Sequence, residues 1–177
     1  MIIFKEKKFY KKALYLASQA KDNATYFIHN EVGYNFRLSN LHSAVGLAQL
    51  RHITKILKKK NSIHDLYRKN LNIVNGLKIL TKPDYCRSNY WLNILIVDKK
   101  KYGLSKNQII KKFSDLNIET RSVWYPNHLQ KPFKKFQTYK IEKSKKMFEN
   151  CLCLPSSYSL SKNDQIKIIK HLKNKFI

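Results

Sequence analysis

From Leu41 to Val74 the apolar residues recur at helical spacing, and after Gly76 that period stops. Leu41, Ala44, Val45 and Ala48 follow the i, i+3, i+4, i+7 rule, and Ile53, Ile56, Leu57, Ile63 and Leu66 continue it. Ser39 or Asn40, both good N-cap types, opens the stripe, so the spacing predicts one long helix to about Val74. Beyond Gly76, LKIL (77–80) and NYWLNILIVD (89–98) are strand-like, the second apolar enough to be buried on both faces. A long apolar stripe followed by mixed strands and helices restricts the chain to an α/β architecture, and the stripe needs other elements to cover it.

The remaining segments fill in that architecture. FKEKKFYKKALYLASQA (4–20) reads as a first helix, and 21–37 as a polar, aromatic connector with Asn23, Asn30 and Gly33 as turn residues. Ser105 caps a helix to about Leu116, with Ile109, Ile110, Phe113 and Leu116 facing inward. IETRSVW (118–124) is a third strand, Pro126 and Pro132 break the chain into a loop, and 140–150 is helical. CLCLP (151–155) is short and extended, and Ser161 or Asn163 caps a closing helix carrying Ile166, Ile168, Ile169 and Leu172. Residues 77–177 are compact enough to stand as a small α/β domain. Residues 1–76, two helices and a connector, are less self-sufficient. Gly46 costs its helix about 1 kcal/mol relative to alanine, which fits either a close-packed backbone or a tolerated glycine.

At 177 residues with 43% apolar content the chain can bury a core. The start, MIIFKEKKFYKK, has too short an apolar run for a signal peptide, and no run approaches the roughly 18 residues of a membrane span. The expectation is a cytoplasmic protein without a membrane partner. Its net charge of +25 comes from 31 lysines and 5 arginines scattered from Lys5 to Lys175. Arginine, whose planar fork matches phosphate, is scarce, so the charge reads as solvated faces rather than a specific nucleic-acid surface. Cys86, Cys151 and Cys153 lack zinc-site spacing and read as small hydrophobes, with no metal site.

Two stretches carry candidate chemistry. In GYNFRLSNLHSAVGLAQL (33–50), Gly33 lets the backbone pass where a side chain would clash. Asn35 offers an amide donor and Arg37 a charged fork, just before a helix N-terminus whose N–H groups are unpaired. The set suits a phosphate or carboxylate; the alternative is a capped helix with Asn35 closing a turn and Arg37 in solvent. In RSVWYPNHLQ (121–130), Trp124, Tyr125 and His128 either wall a sugar or base pocket or divide into a buried Trp124 and a solvated His128. His42 and His52 miss metal-pair spacing, and His64 and His171 read as surface residues. There is no P-loop, GxGxxG or GxSxG motif, and no lysine stands out as a desolvated nucleophile.

GYNFRLSNLHSAVGLAQL closely resembles the signature of the DegT/StrS sugar aminotransferases, pyridoxal-phosphate enzymes of aspartate-aminotransferase fold type I. QAKDNATYFIHNEVGYN, IETRSVWYPNHLQKPF and CLCLPSSYSLSKNDQIKII resemble further family segments in the same order. The wording of QAKDN and TRSVWYPNHLQ is most similar to the branch acting on UDP-linked 4-keto amino sugars in legionaminic or bacillosamine-type pathways. The resemblance implies an α/β fold with a long interface helix and a small domain. It also implies amino transfer, usually from glutamate, to a keto group of a nucleotide-linked sugar, in a dimer with pyridoxal 5'-phosphate. Asn35 matches the asparagine that reaches the neighbouring subunit's cofactor phosphate, and Arg37 stands beside it as a second cofactor-binding residue. Tyr34 and His128 match positions that face substrate.

Family chains are roughly twice as long, and their N-terminal half carries the Schiff-base lysine, so no lysine of this chain is assigned that role and no residue here is assigned as catalytic. The chain is expected to be a C-terminal portion: residues 1–76 a remnant of the large cofactor-binding domain, residues 77–177 the small domain. It would be inactive alone and would act as a homodimer or beside a complementing N-terminal half. The alternative is a non-catalytic binding or dimerisation module derived from the same family.

Overall fold

The computed structural model of the chain describes residues 2–23 and 28–176. Two compact units are present, Met1–His52 and Ile53–Ile177. In the first, α1 (Lys7–Ala17) is followed by a small antiparallel hairpin, β1 (Lys21–Asn23) and β2 (Ile28–His29), and then by α2 (Asn40–Arg51). The hairpin falls inside the stretch read as a connector. Polar side chains hold it in place: Asp22 accepts from the Tyr15 hydroxyl at 2.9 Å and from the Asn30 backbone N–H at 2.8 Å, and Lys12 pairs with Glu31. Period-2 apolar reading cannot see a hairpin held this way.

The stripe expected to form one helix is two. His52 donates its N–H to the Gln49 carbonyl three residues back at 3.1 Å, which tightens and ends α2, and α3 runs Ile53–Leu71. The boundary between the two compact units falls after His52, and α3 packs with the second unit. Its residues Ile63, Tyr67 and Leu71 are buried, at the spacing that puts them on one helix face. α2 buries no residue, and Leu41, Val45 and Leu50 stay exposed. Nothing lies within 4 Å of the Cβ position at Gly46, so among the described residues this is a tolerated glycine.

The second unit is a four-stranded antiparallel sheet in the order β3-β4-β6-β5. Its strands are β3 (Leu77–Ile79), β4 (Asn93–Val97), β5 (Arg121–Ser122) and β6 (Cys151–Leu154). Its remaining helices are α4 (Lys99–Tyr102), α5 (Lys106–Asp115), α6 (Glu142–Asn150) and α7 (Lys162–Lys173). Ser105 and Gln108 form the capping box that starts α5, and Ser161 caps α7. Register sets Leu95 opposite Ile79 on one side and Leu152 on the other, so these side chains share the face that α3 and α7 cover.

β4 is shorter than its apolar run and is buried on one face only, through Asn93, Leu95 and Val97. The Ser88 hydroxyl accepts the N–H of Tyr90 and the Asn89 side chain that of Trp91. Those local bonds divert residues 88–92 from the ladder, and Tyr90 sits at φ 44°. Gly76, at φ 85°, is required: a Cβ there would meet the Tyr102 nitrogen at 2.4 Å. No described helix is long and apolar enough to cross a membrane.

A polar chain runs through the core. His64, only 2% exposed, donates from Nδ1 to Asn93 Oδ1 at 2.9 Å and stacks on Tyr90 at 3.8 Å, so it is not the surface residue its sequence context suggested. Asn93 in turn donates from Nδ2 to Ser156 Oγ at 3.0 Å, and Ser156 donates to the Leu154 carbonyl at 2.8 Å. Asn93→Ala strands the buried His64 and Ser156 groups and should cost about 2 kcal/mol. The expected result is a lower urea midpoint at unchanged slope; an unaltered midpoint would remove the chain from the stability account.

Candidate functional site

Residues 33–37 run in extended conformation against the end of α1. The Tyr34 N–H donates to Leu16 O at 2.7 Å, the Gln19 N–H to Tyr34 O at 3.0 Å, and the Phe36 N–H to Ala17 O at 3.0 Å. Asn35 bridges Ser18 through the backbone. Gly33 is required by this approach rather than by its own dihedral. A Cβ on it would stand 2.2 Å from the Gln19 carbonyl carbon, where the chain turns through two left-handed residues, Gln19 and Ala20.

Pinned in this way, the strip alternates its side chains. Tyr34 and Phe36 stack at 5.1 Å with nearly parallel rings, and Asn35 and Arg37 fall on the opposite side. Among the described residues neither Asn35 nor Arg37 has a side-chain partner, and both are exposed. The adjacent α2 N-terminus is partly self-satisfied. Ser39 accepts the His42 N–H at 3.3 Å and also meets His42 Nδ1 at 2.7 Å. An amide and a guanidinium free on one face, beside a helix start, form a donor set for an anion and fit the phosphate end of a cofactor. Two carboxylates of this unit are engaged elsewhere, Glu31 by Lys12 and Asp22 by Tyr15 and Asn30.

His128 belongs to the second unit, half-buried on the 3-10 turn Asn127–Leu129. Trp124 is not in the core. It is 65% exposed, with its ring 6.1 Å from that of Trp91, while Tyr125 packs edge-on against Phe148. The structure thus brings Tyr34, Asn35 and Arg37 onto one strip of the first unit and sets His128 on a loop of the second.

Three features escaped sequence reading. Lys106, 6% exposed, donates from Nζ to Ser122 Oγ at 2.9 Å and to the Phe148 carbonyl, and lies 4.2 Å from the Phe148 ring centroid. Burial lowers its pKa, and the Cys151 and Glu149 charges pull the other way. It joins α5, β5 and α6, and nothing in KNQIIKKFSD separates it from the surface lysines around it. Lys60 donates to the Ser156 carbonyl, and burial lowers its pKa too. A cleft of about 770 Å³ opens beside Lys60, Trp91, Arg121 and Cys153. Among the described residues no three His, Cys, Asp or Glu side chains cluster as a metal site would need.

The sequence profile of the DegT/DnrJ/EryC1/StrS aminotransferases matches residues 1–173. The chain belongs to that family. EpsN of Bacillus subtilis is 32% identical over 99% of this chain and 46% of its own length. The GDP-perosamine synthase of Escherichia coli O157:H7 is 28% identical over the same shares. Among solved structures, the sugar aminotransferase Spr1654 of Streptococcus pneumoniae in its PLP-form superposes with a TM-score of 0.82 at 22% identity, over 98% of this chain and 45% of that one. The family member described here therefore spans less than half the length of the curated relatives it matches, and its mixed helix-and-sheet fold is that of the aminotransferases.

Cys151 and Cys153 are buried within this fold, whereas Cys86 is only half-buried. Burial pushes the Cys151 thiol up to about 11 against the opposing pull of Lys106, and raises that of Cys153. At pH 8 iodoacetamide should therefore modify Cys86 at least about tenfold faster than Cys151 in the folded chain. Mass spectrometry of the digested protein reads the order, and equal rates would contradict the burial.

Proposed function

We propose that this chain is the C-terminal part of a pyridoxal-phosphate-dependent aminotransferase that moves an amino group, from an amino-acid donor such as glutamate, to a 4-keto nucleotide sugar. What carries the reading is the Tyr34–Asn35–Arg37 strip, with two partnerless anion donors on one face, inside a family whose members transfer amino groups to sugars. When bound, the cofactor supplies an electron sink for carbanion chemistry. Arg37 offers paired N–H donors and Asn35 an amide N–H, which together hold a phosphate dianion in place. The backbone bonds of Tyr34 and Phe36 to α1 hold the main chain that carries those donors, which removes the backbone part of the ordering cost of binding. Tyr34 gives a ring face and a hydroxyl to the substrate side, and in the second unit the His128 imidazole offers a hydrogen-bonding ring nitrogen.

The uncovered apolar face of α2 supports assembly with a second copy or with a lysine-bearing N-terminal half, the strip then serving a shared site. The same face supports the second reading, a dimerisation module without catalysis of its own. Amino transfer in either assembly needs a cofactor-anchoring lysine from outside residues 1–177.

Borohydride reduction of this chain with pyridoxal phosphate tests that requirement. The expected result is no stoichiometric single-site lysine adduct and no turnover of glutamate with a 4-keto nucleotide sugar; turnover with a single-site adduct would overturn it. With the N-terminal half supplied in trans, turnover should appear, and Arg37→Ala should weaken cofactor affinity by about tenfold or more. Turnover absent with every half supplied would favour the non-catalytic module.

A further inference from the structure

We propose that Trp91 and Trp124 form the ring-binding wall of a nucleotide site in the second unit, with Lys60 as the partner of the phosphates. The two indoles come from different parts of the chain, Trp91 two residues before β4 and Trp124 two residues after β5, yet their centroids lie 6.1 Å apart at 48°. Both are about two-thirds exposed, at 64% and 65%. Two adjacent exposed indoles give a broad apolar surface on which a flat ring can stack.

Trp91 also lines the 770 Å³ cleft, a volume in the range of small-molecule sites, about 300–1,000 Å³. The charges of the cleft fix the ligand class. Arg121 is held by Glu119 at 2.6 Å and Lys167 by Asp164 at 3.3 Å. Lys60 alone among the cleft's Lys and Arg side chains has no carboxylate partner among the described residues; its ammonium donates to the Ser156 carbonyl and has donors to spare. A flat ring for the indoles joined to an anion for Lys60 describes a nucleotide. The choice of a sugar nucleotide rests on the aminotransferase reading above.

These are the two tryptophans of the chain, so its tryptophan emission comes wholly from this pair. Uridine, guanosine and thymidine diphosphates are titrated into the full chain, excited beyond the tyrosine band, with far-UV circular dichroism confirming that each variant is folded. A saturable change in emission is expected for at least one diphosphate, weakened on the order of tenfold by Trp124→Ala, which removes one stacking face. Lys60→Gln should weaken the diphosphate severalfold and leave the parent nucleoside unaffected. A linear, unsaturable quench, or equal affinities across folded variants, overturns the proposal. Turnover on complementation with no response of the tryptophans would sink this site and leave the aminotransferase reading standing. Saturable nucleotide binding with no turnover in any assembly would do the reverse.

Discussion

The second unit depends on how α3 is seated against the sheet. Three positions on one helix face, Lys60, His64 and Tyr67, reach the segment after β6 or the strand beside it: Lys60 bonds Ser156 O, Tyr67 bonds Pro155 O at 3.0 Å, and His64 bonds Asn93. Gln165 of α7 closes the arrangement from the other side by donating to the Ile63 carbonyl at 2.7 Å. Apolar burial by Ile63, Leu71, Leu95 and Leu152 supplies the driving force, which is non-directional. The buried polar chain adds direction, because a shift of α3 by one turn would leave His64, Asn93 and Ser156 desolvated without partners.

The first unit rests on a different constraint, a close approach of backbone to backbone. Gly33 passes against Gln19 and Ala20, and the bonds of Tyr34 and Phe36 to α1 hold the following strip extended. Extension makes side chains alternate, and alternation gathers Asn35 and Arg37 on one face. The polar turn and the apolar helix are joined directly because they answer different needs. The strip leaves the Asn35 and Arg37 side chains exposed, and α2 presents an apolar face that no described residue buries.

Much of this was legible in the residues. The closing helix, the Ser105 and Ser161 caps, the extended CLCL and the helix ending near Asn150 follow from short-range rules, and the structure has them with shifts of a few residues. What was misjudged depended on competition between local bonds and pattern. Ser88 and Asn89 take the N–H groups that would have lengthened β4, and His52 ends α2 inside an unbroken apolar stripe. The hairpin at 21–29 is pinned by Asp22 to Tyr15 and Asn30, contacts that no periodicity encodes. Tyr34, Asn35 and Arg37 lie on one strip in the structure because they are neighbours in sequence and the backbone bonds to α1 hold that strip.

By itself, then, the sequence determined the α/β class, the family and the caps, all of which depend on residues close together in the chain. Only the tertiary structure decided that His64 and Lys106 are buried, that Trp91 meets Trp124, and that Lys60 stands in a cleft without an acidic partner among the described residues. Each of those depends on side chains from distant elements meeting, and burial, desolvation and pairing are properties of the meeting rather than of either residue.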